Sequence, residues 1–198
     1  MDYKELVENN FKESSLLITK FQNLYSGLIV DTSGTIVQRI KKGGGVYFMG
    51  NGGSAADSMH LTAELMGRFY LNRKPIKAYS LNTNCSMLTE IPNDFSFAEL
   101  FERQIEALVQ RNDTVIGIST SGNSENVING FKKSRQIGAY NVGFTGKTGG
   151  IMAEFCDVCF KVPSEDTPRI QECHITLGHT ICQLIEDQLF SNKINIEE

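Results

Sequence analysis

Two histidines, a glutamate and a glutamine carry the most chemistry in this sequence. His60 and Glu64 stand four residues apart, and Gln171 and His179 eight apart. On a helix, four residues bring side chains onto one face; eight leave them ~80° apart, still on one side. An imidazole and a carboxylate at the first spacing make half of a divalent-metal site or a paired acid and base. Alone, the pair also fits an exposed ion pair; its place just beyond a glycine loop favours chemistry. Glu172 and His174 add polar groups to the second stretch.

A second concentration of function is STSGNSENV. Ser119, Thr120, Ser121 and Ser124 crowd their hydroxyls around Gly122, ahead of a helical pattern. Hydroxyls and free amides at a helix start donate to phosphate oxygens without a buried cation. The helix dipole adds only ~0.3–1 kcal/mol at an exposed site, so the individual hydrogen bonds must supply most of the affinity. One serine would suffice as a helix cap.

Gly50–Ser54 opens GNGGSA. Literally it matches the dinucleotide turn G-x-G-x-x-A, which expects an acid ~20 residues on, ending the next strand. That strand ends Tyr79-Ser80-Leu81-Asn82, without an acid. What remains is glycine backbone that a ligand can approach, with Ser54 at a helix start. GFTGKTGG resembles a P-loop, but Asn141 stands where its first glycine belongs. Cys156 and Cys159 form a CxxC. A redox pair is expected at a helix N-terminus. This one leads into FCDVCFKV, which alternates like a strand, so the pair reads as packing. Zinc would need a second pair.

These residues need elements to position them. Short apolar runs at 46–49, 76–81, 114–119, 141–145 and 158–162 alternate with helical patterns, among them 85–90, 97–109 and 167–190. Strands alternating with helices imply a parallel sheet covered on both faces, with ligands at the C-terminal strand ends. The spacing predicts two opening helices, 3–26 and 32–42, which cover the sheet or form an oligomer interface. We divide the single domain, 1–198, into N-terminal helices (1–43) that contribute to oligomerisation and a core (44–190).

The 198 residues are 40% hydrophobic, enough for a core, with a net charge of −4. That balance offers no general attraction to nucleic acid or anionic membrane. No apolar stretch approaches the ~20 residues of a membrane span. A polar N-terminus without a signal-peptide pattern and five cysteines read as reduced thiols point to the cytoplasm.

At this point a resemblance becomes specific. GNGGSAADSMHLTAELMGRF, NDFSFAELFERQ, ISTSGNSENV, GFTGKTGG and TPRIQECHITLGH together resemble the sugar isomerase (SIS) domain and, more narrowly, the phosphoheptose isomerase family. The likeness runs to about Phe190. It implies a three-layer, flavodoxin-like α/β fold on a five-stranded parallel sheet, preceded by the two extra helices. It implies a homotetramer with sites between subunits, and one zinc per subunit on His60, Glu64, Gln171 and His179. Substrate contacts would be Asn51, Gly52, Gly53, Asn93, Asp94, Ser119, Thr120, Ser121, Ser124 and Gln171. Ser54, Glu64 and Arg68 join them by position. The implied reaction is aldose–ketose isomerisation of sedoheptulose 7-phosphate to D-glycero-D-manno-heptose 7-phosphate, for lipopolysaccharide or capsule, with Glu64 as base and His179 as acid.

One departure is Pro92 in TEIPND, where the family usually has glycine; proline removes an N–H and alters the expected loop. Rival readings are a non-catalytic SIS protein that binds a replication initiator, a sugar-phosphate sensor, and an arabinose 5-phosphate isomerase. Glu64 and His179 favour an enzyme, and the Gln171–His179 block argues against the last.

Overall fold

The structure is a computed structural model and describes residues 2–191. Five strands, β1 (Val46–Gly50), β2 (Ala78–Ser80), β3 (Thr114–Ser119), β4 (Tyr140–Thr145) and β5 (Val158–Lys161), form one parallel sheet in the order β2-β1-β3-β4-β5. All residues of β1 and β3 are buried, as continuous apolar strands covered on both faces must be. The strand order reverses between β1 and β3, and in such sheets the crevice at that reversal binds ligands. The glycine loop and the serine loop are the two turns that flank it.

Helices cover both faces. On one side α1 (Tyr3–Lys41), α2 (Gly53–Met66) and α6 (Thr167–Phe190) bury Ile36, Leu61, Leu177 and Ile181 against Phe48 and Phe144. On the other, α3 (Cys85–Asp94), α4 (Leu100–Leu108) and α5 (Glu125–Ile137) close over Met49, Val115 and Phe131. The described residues contain no helix long and apolar enough to cross a membrane.

The two expected opening helices are one continuous helix of 39 residues. Ser26, Gly27 and 31–34 are weak helix formers, which suggested a break. Two of their hydroxyls instead bond back into the helix: Ser26 Oγ donates to the Gln22 carbonyl at 2.7 Å and Ser33 Oγ to that of Ile29 at 2.8 Å. Thr32 and Ser33 are also buried, so tertiary packing overrides local propensity. The C-terminal half of α1 covers the sheet, whereas Tyr3, Leu6, Val7 and Phe11 are exposed.

Pro92 makes a second difference. It lies inside α3, which runs on through Asn93 and Asp94 rather than breaking into a loop before them.

Candidate active site

The close approach of α2 and α6 builds the polar cluster. Gly178 lies against Leu61, and a Cβ there would fall 2.5 Å from Leu61 Cδ1. Glycine in a helix interior costs roughly 0.5–1 kcal/mol relative to alanine, so a packing reason is expected. Here it brings the neighbouring residues together: His179 Nε2 is 3.1 Å from His60 Nε2, which is 3.0 Å from Glu64 Oε1. Arg73 fixes the far end of α2. Its guanidinium donates to the carbonyls of Glu64 at 2.9 Å and Leu65 at 2.7 Å, while buried Glu186 accepts from its Nε at 2.8 Å. Neither Gly178 nor Arg73 stood out in the sequence. The glycine within an otherwise regular helix was the available signal.

The donor atoms of His60, Glu64 and His179 all lie within 4.8 Å of one another. A ring nitrogen has either one proton or one lone pair in its plane, yet His60 Nε2 meets two partners. If it donates to Glu64, its proton is shared with the His179 nitrogen; if it accepts from His179, its lone pair faces a carboxylate. A divalent cation satisfies all three lone pairs together. Two of the separations approach the roughly 3.3 Å edge of a tetrahedron with ~2.0 Å metal–ligand bonds. Two histidines and a glutamate are moreover a known catalytic zinc set, which keeps a fourth position open. The residues therefore fit a zinc-like ion. Burial lowers the pKa of His179, the His60 ring lowers it further and Glu64 opposes both, so the neutral ring is favoured. One turn before His60, Asp57 has a buried oxygen, Oδ2, without a partner among the described residues, and burial raises its pKa.

Gln171 is not part of this cluster within one chain. Its amide lies over the first residue of α2, where a Cβ on Gly53 would be 2.6 Å from Nε2. At 1.5 Å per residue, Gln171 and His179 are ~12 Å apart along α6. The angular argument brought them to one side but not to one level. His174 faces the core: it is buried, its Nε2 lies 3.1 Å from the Thr145 carbonyl, and burial pushes its pKa down to about 4. Glu172 pairs with Arg169 at 2.9 Å. Arg68 is exposed beyond the end of α2.

At the sheet's switch point the serine loop is already ordered. Ser119 Oγ is 3.0 Å from Ser124 Oγ, and Gly122 N donates to Ser119 Oγ at 3.2 Å. Ser124 precedes α5 but does not cap it with its hydroxyl. Among the described residues, the amides of Glu125 and Asn126 have no protein acceptor and are available to an anion or water. Gly122 has φ 67° and touches Gly149, where any Cβ would collide, so this turn requires glycine. Thr120 and Ser121 line a cavity of about 200 Å³ with Lys147, Thr148, Ser164, Glu165, Thr167 and Ile170.

Asn51 also has a structural part. Its amide forms a reciprocal pair with Asn126, both bonds 2.9 Å, and ties the glycine loop to α5. Asn126 was not singled out in the sequence. Gly52, at φ 56°, supplies the turn before α2; Gly53 leaves room for Gln171. Ser54 is buried and its amide is spent on the Asn51 carbonyl at 3.0 Å. Asn93 and Asp94 close α3, joined by a 2.8 Å bond.

The chain is similar to known proteins. The SIS domain family model matches residues 10–146. A phosphoheptose isomerase of Aquifex aeolicus is 50% identical over 185 residues, covering 93% of this chain and 97% of that one. The structure of a phosphoheptose isomerase from Neisseria gonorrhoeae is 36% identical with a TM-score of 0.88, over 93% of this chain and 99% of that one. One from Francisella tularensis is 27% identical with a TM-score of 0.91, over 94% and 100%.

Proposed function

The chain belongs to the SIS domain family, among its phosphoheptose isomerases, and from that premise we propose how its residues interconvert sedoheptulose 7-phosphate and D-glycero-D-manno-heptose 7-phosphate in bacterial heptose synthesis. The observation that carries the reading is the convergence of His60, Glu64 and His179 beside α6, on a fold whose switch point holds a hydroxyl-lined anion loop.

The serine loop and the free amides of α5 hold the phosphate, which takes no part in bond changes. Glu64 removes the proton from the carbon beside the carbonyl and returns it to the neighbouring carbon, through an enediolate. General acid–base help of this kind is worth ~10²–10⁴-fold. His179, favoured as the neutral ring, donates to the oxygen that gains charge and assists ring opening. Asn93, Asp94 and Arg68 contact the sugar.

We also propose one zinc per subunit, held by His60, Glu64 and His179, with Gln171 completing the set from a second copy. A bound zinc supplies Lewis-acid polarisation of the carbonyl. Glu64 serves as base through the oxygen that does not face His60. The ~12 Å offset of Gln171 along α6 supports a homotetramer with sites between subunits, as do the exposed apolar residues of the first turns of α1. The chain works in the cytoplasm.

The deciding experiment assays isomerisation of sedoheptulose 7-phosphate after chelation, with and without added zinc. Zinc-dependent product is expected. Equal product without metal would confine the ion to structure, and no product from folded protein would overturn the assignment.

A further inference from the structure

Cys156 and Cys159 are the one motif from the sequence that the isomerase site does not use. In a strand, residues three apart point to opposite faces. Here a short 3-10 turn, Ile151–Phe155, ends at Cys156 and the chain bends at Asp157 before β5. Both sulfurs therefore face the same point on β4. A Cβ on Gly143 would lie 2.5 Å from Cys156 Sγ and 3.4 Å from Cys159 Sγ, so the missing side chain is what admits the pair. Cys156 donates its thiol proton to the Met152 carbonyl at 3.3 Å, and Cys159 Sγ is 3.5 Å from Thr145 Oγ1. Both thiols are partly exposed.

We propose that Cys156 and Cys159 form a thiol–disulfide exchange site in which Cys159 is the nucleophile and Cys156 the resolving thiol, with a small-molecule disulfide such as glutathione disulfide as the reagent.

The surroundings separate the two roles. The Cys159 pKa is lowered, first by the neighbouring Cys156 side chain; burial opposes this, and the Thr145 hydroxyl and the Lys161 charge assist. Cys156 moves strongly upward, first through the neighbouring Cys159 and then through burial, and with its proton donated to the Met152 carbonyl it stays a thiol until Cys159 has reacted. In the first step the Cys159 thiolate attacks one sulfur of the reagent, forms a mixed disulfide and expels one glutathione thiolate. That thiolate takes up the Cys156 proton. The Cys156 sulfur then attacks the Cys159 sulfur, forms the internal disulfide and expels the second glutathione as a thiolate, which is protonated from water. Two electrons pass from the pair to the reagent.

The test uses the whole protein. It is exposed to glutathione disulfide at pH 7, quenched with acid and mapped by peptide mass at all five cysteines. The peptide holding both thiols should lose two hydrogens, and Cys156→Ser should instead accumulate glutathione on Cys159. Iodoacetamide labelling of the unmutated protein should give Cys159 a rate midpoint below the ~8.5 of an ordinary thiol. Adducts confined to Cys85, or a Cys159 midpoint at that of an ordinary thiol, would overturn the proposal.

Discussion

At the serine loop the backbone carries the shape, whereas at His60, Glu64 and His179 the side chains carry it alone. Gly122 N donates to the Ser119 carbonyl, Gly146 N to that of Thr120 and Met152 N to that of Gly122, at 2.9–3.0 Å. The hydroxyls add to a turn that would hold without them. In the three-residue cluster the Nε2–Nε2 and Nε2–Oε1 contacts, with the Phe69 ring against His179, position the side chains, and the polar contacts compete for one proton. On the proposed roles, the loop is organised before phosphate arrives, and the cluster would be resolved by the ion it holds. Binding the unreactive phosphate calls for rigidity. Moving a proton calls for groups whose protonation has no single best arrangement in the empty site.

The sharpest way to break this contrast is Glu64→Gln. The amide is nearly isosteric, and Arg73 still holds the backbone of residue 64. Loss of the base should lower kcat by ~10²–10⁴-fold or more. Affinity for inorganic phosphate, measured by calorimetry, should stay within a few-fold of the parent because the loop is independent. A fully active variant would remove Glu64 as the base, and a parallel loss of phosphate affinity would show that the two regions are not separate.

The scaffold side of the contrast can be read through pH. His174 supports the end of β4, next to the bond from Gly146 to Thr120. Burial holds its folded pKa at about 4, below the ordinary 6.5. The unfolded chain therefore takes up a proton first. The contribution is full above pH 6.5 and is lost as pH falls from there toward 4, on the order of 3 kcal/mol in all. Urea unfolding from pH 7 to 4.5 should show the decline, and His174→Gln should flatten it. An identical slope in the variant would mean that His174 is not the group responsible.

Much of this was legible because each strand is a short apolar run that meets a glycine or hydroxyl loop at its C-terminal end. Thr114–Ser119 and Thr167–Phe190 have the limits that periodicity and Pro168 suggest. His60 and Glu64 were legible because a spacing of four fixes both angle and height. Gln171 was not, because a spacing of eight fixes the angle but adds two turns of rise. Which face of α6 His174 takes depends on where the sheet lies, and that is a tertiary fact. The continuity of α1 depends on contacts that bury Thr32 and Ser33. The convergence of Cys156 and Cys159 depends on a bend at Asp157 that an alternating pattern conceals.

The smallest expected effect tests the other half of the comparison. In Ser121→Ala with Ser124→Ala, the backbone bonds of the loop are untouched, including those from Val127 and Ile128 to the Ser124 carbonyl at 3.1 and 3.0 Å. Two donors to a charged phosphate are lost, each worth ~1.5–3 kcal/mol when isolated and less where water takes their place. Because the phosphate is held equally in ground and transition state, KM should rise by ~10–100-fold while kcat changes little. Steady-state kinetics with sedoheptulose 7-phosphate separate the two parameters. An unchanged KM would remove these hydroxyls from phosphate binding. A fall in kcat with KM constant would mean that the loop acts on the reacting carbons, and the rigid region would then belong to the chemistry after all.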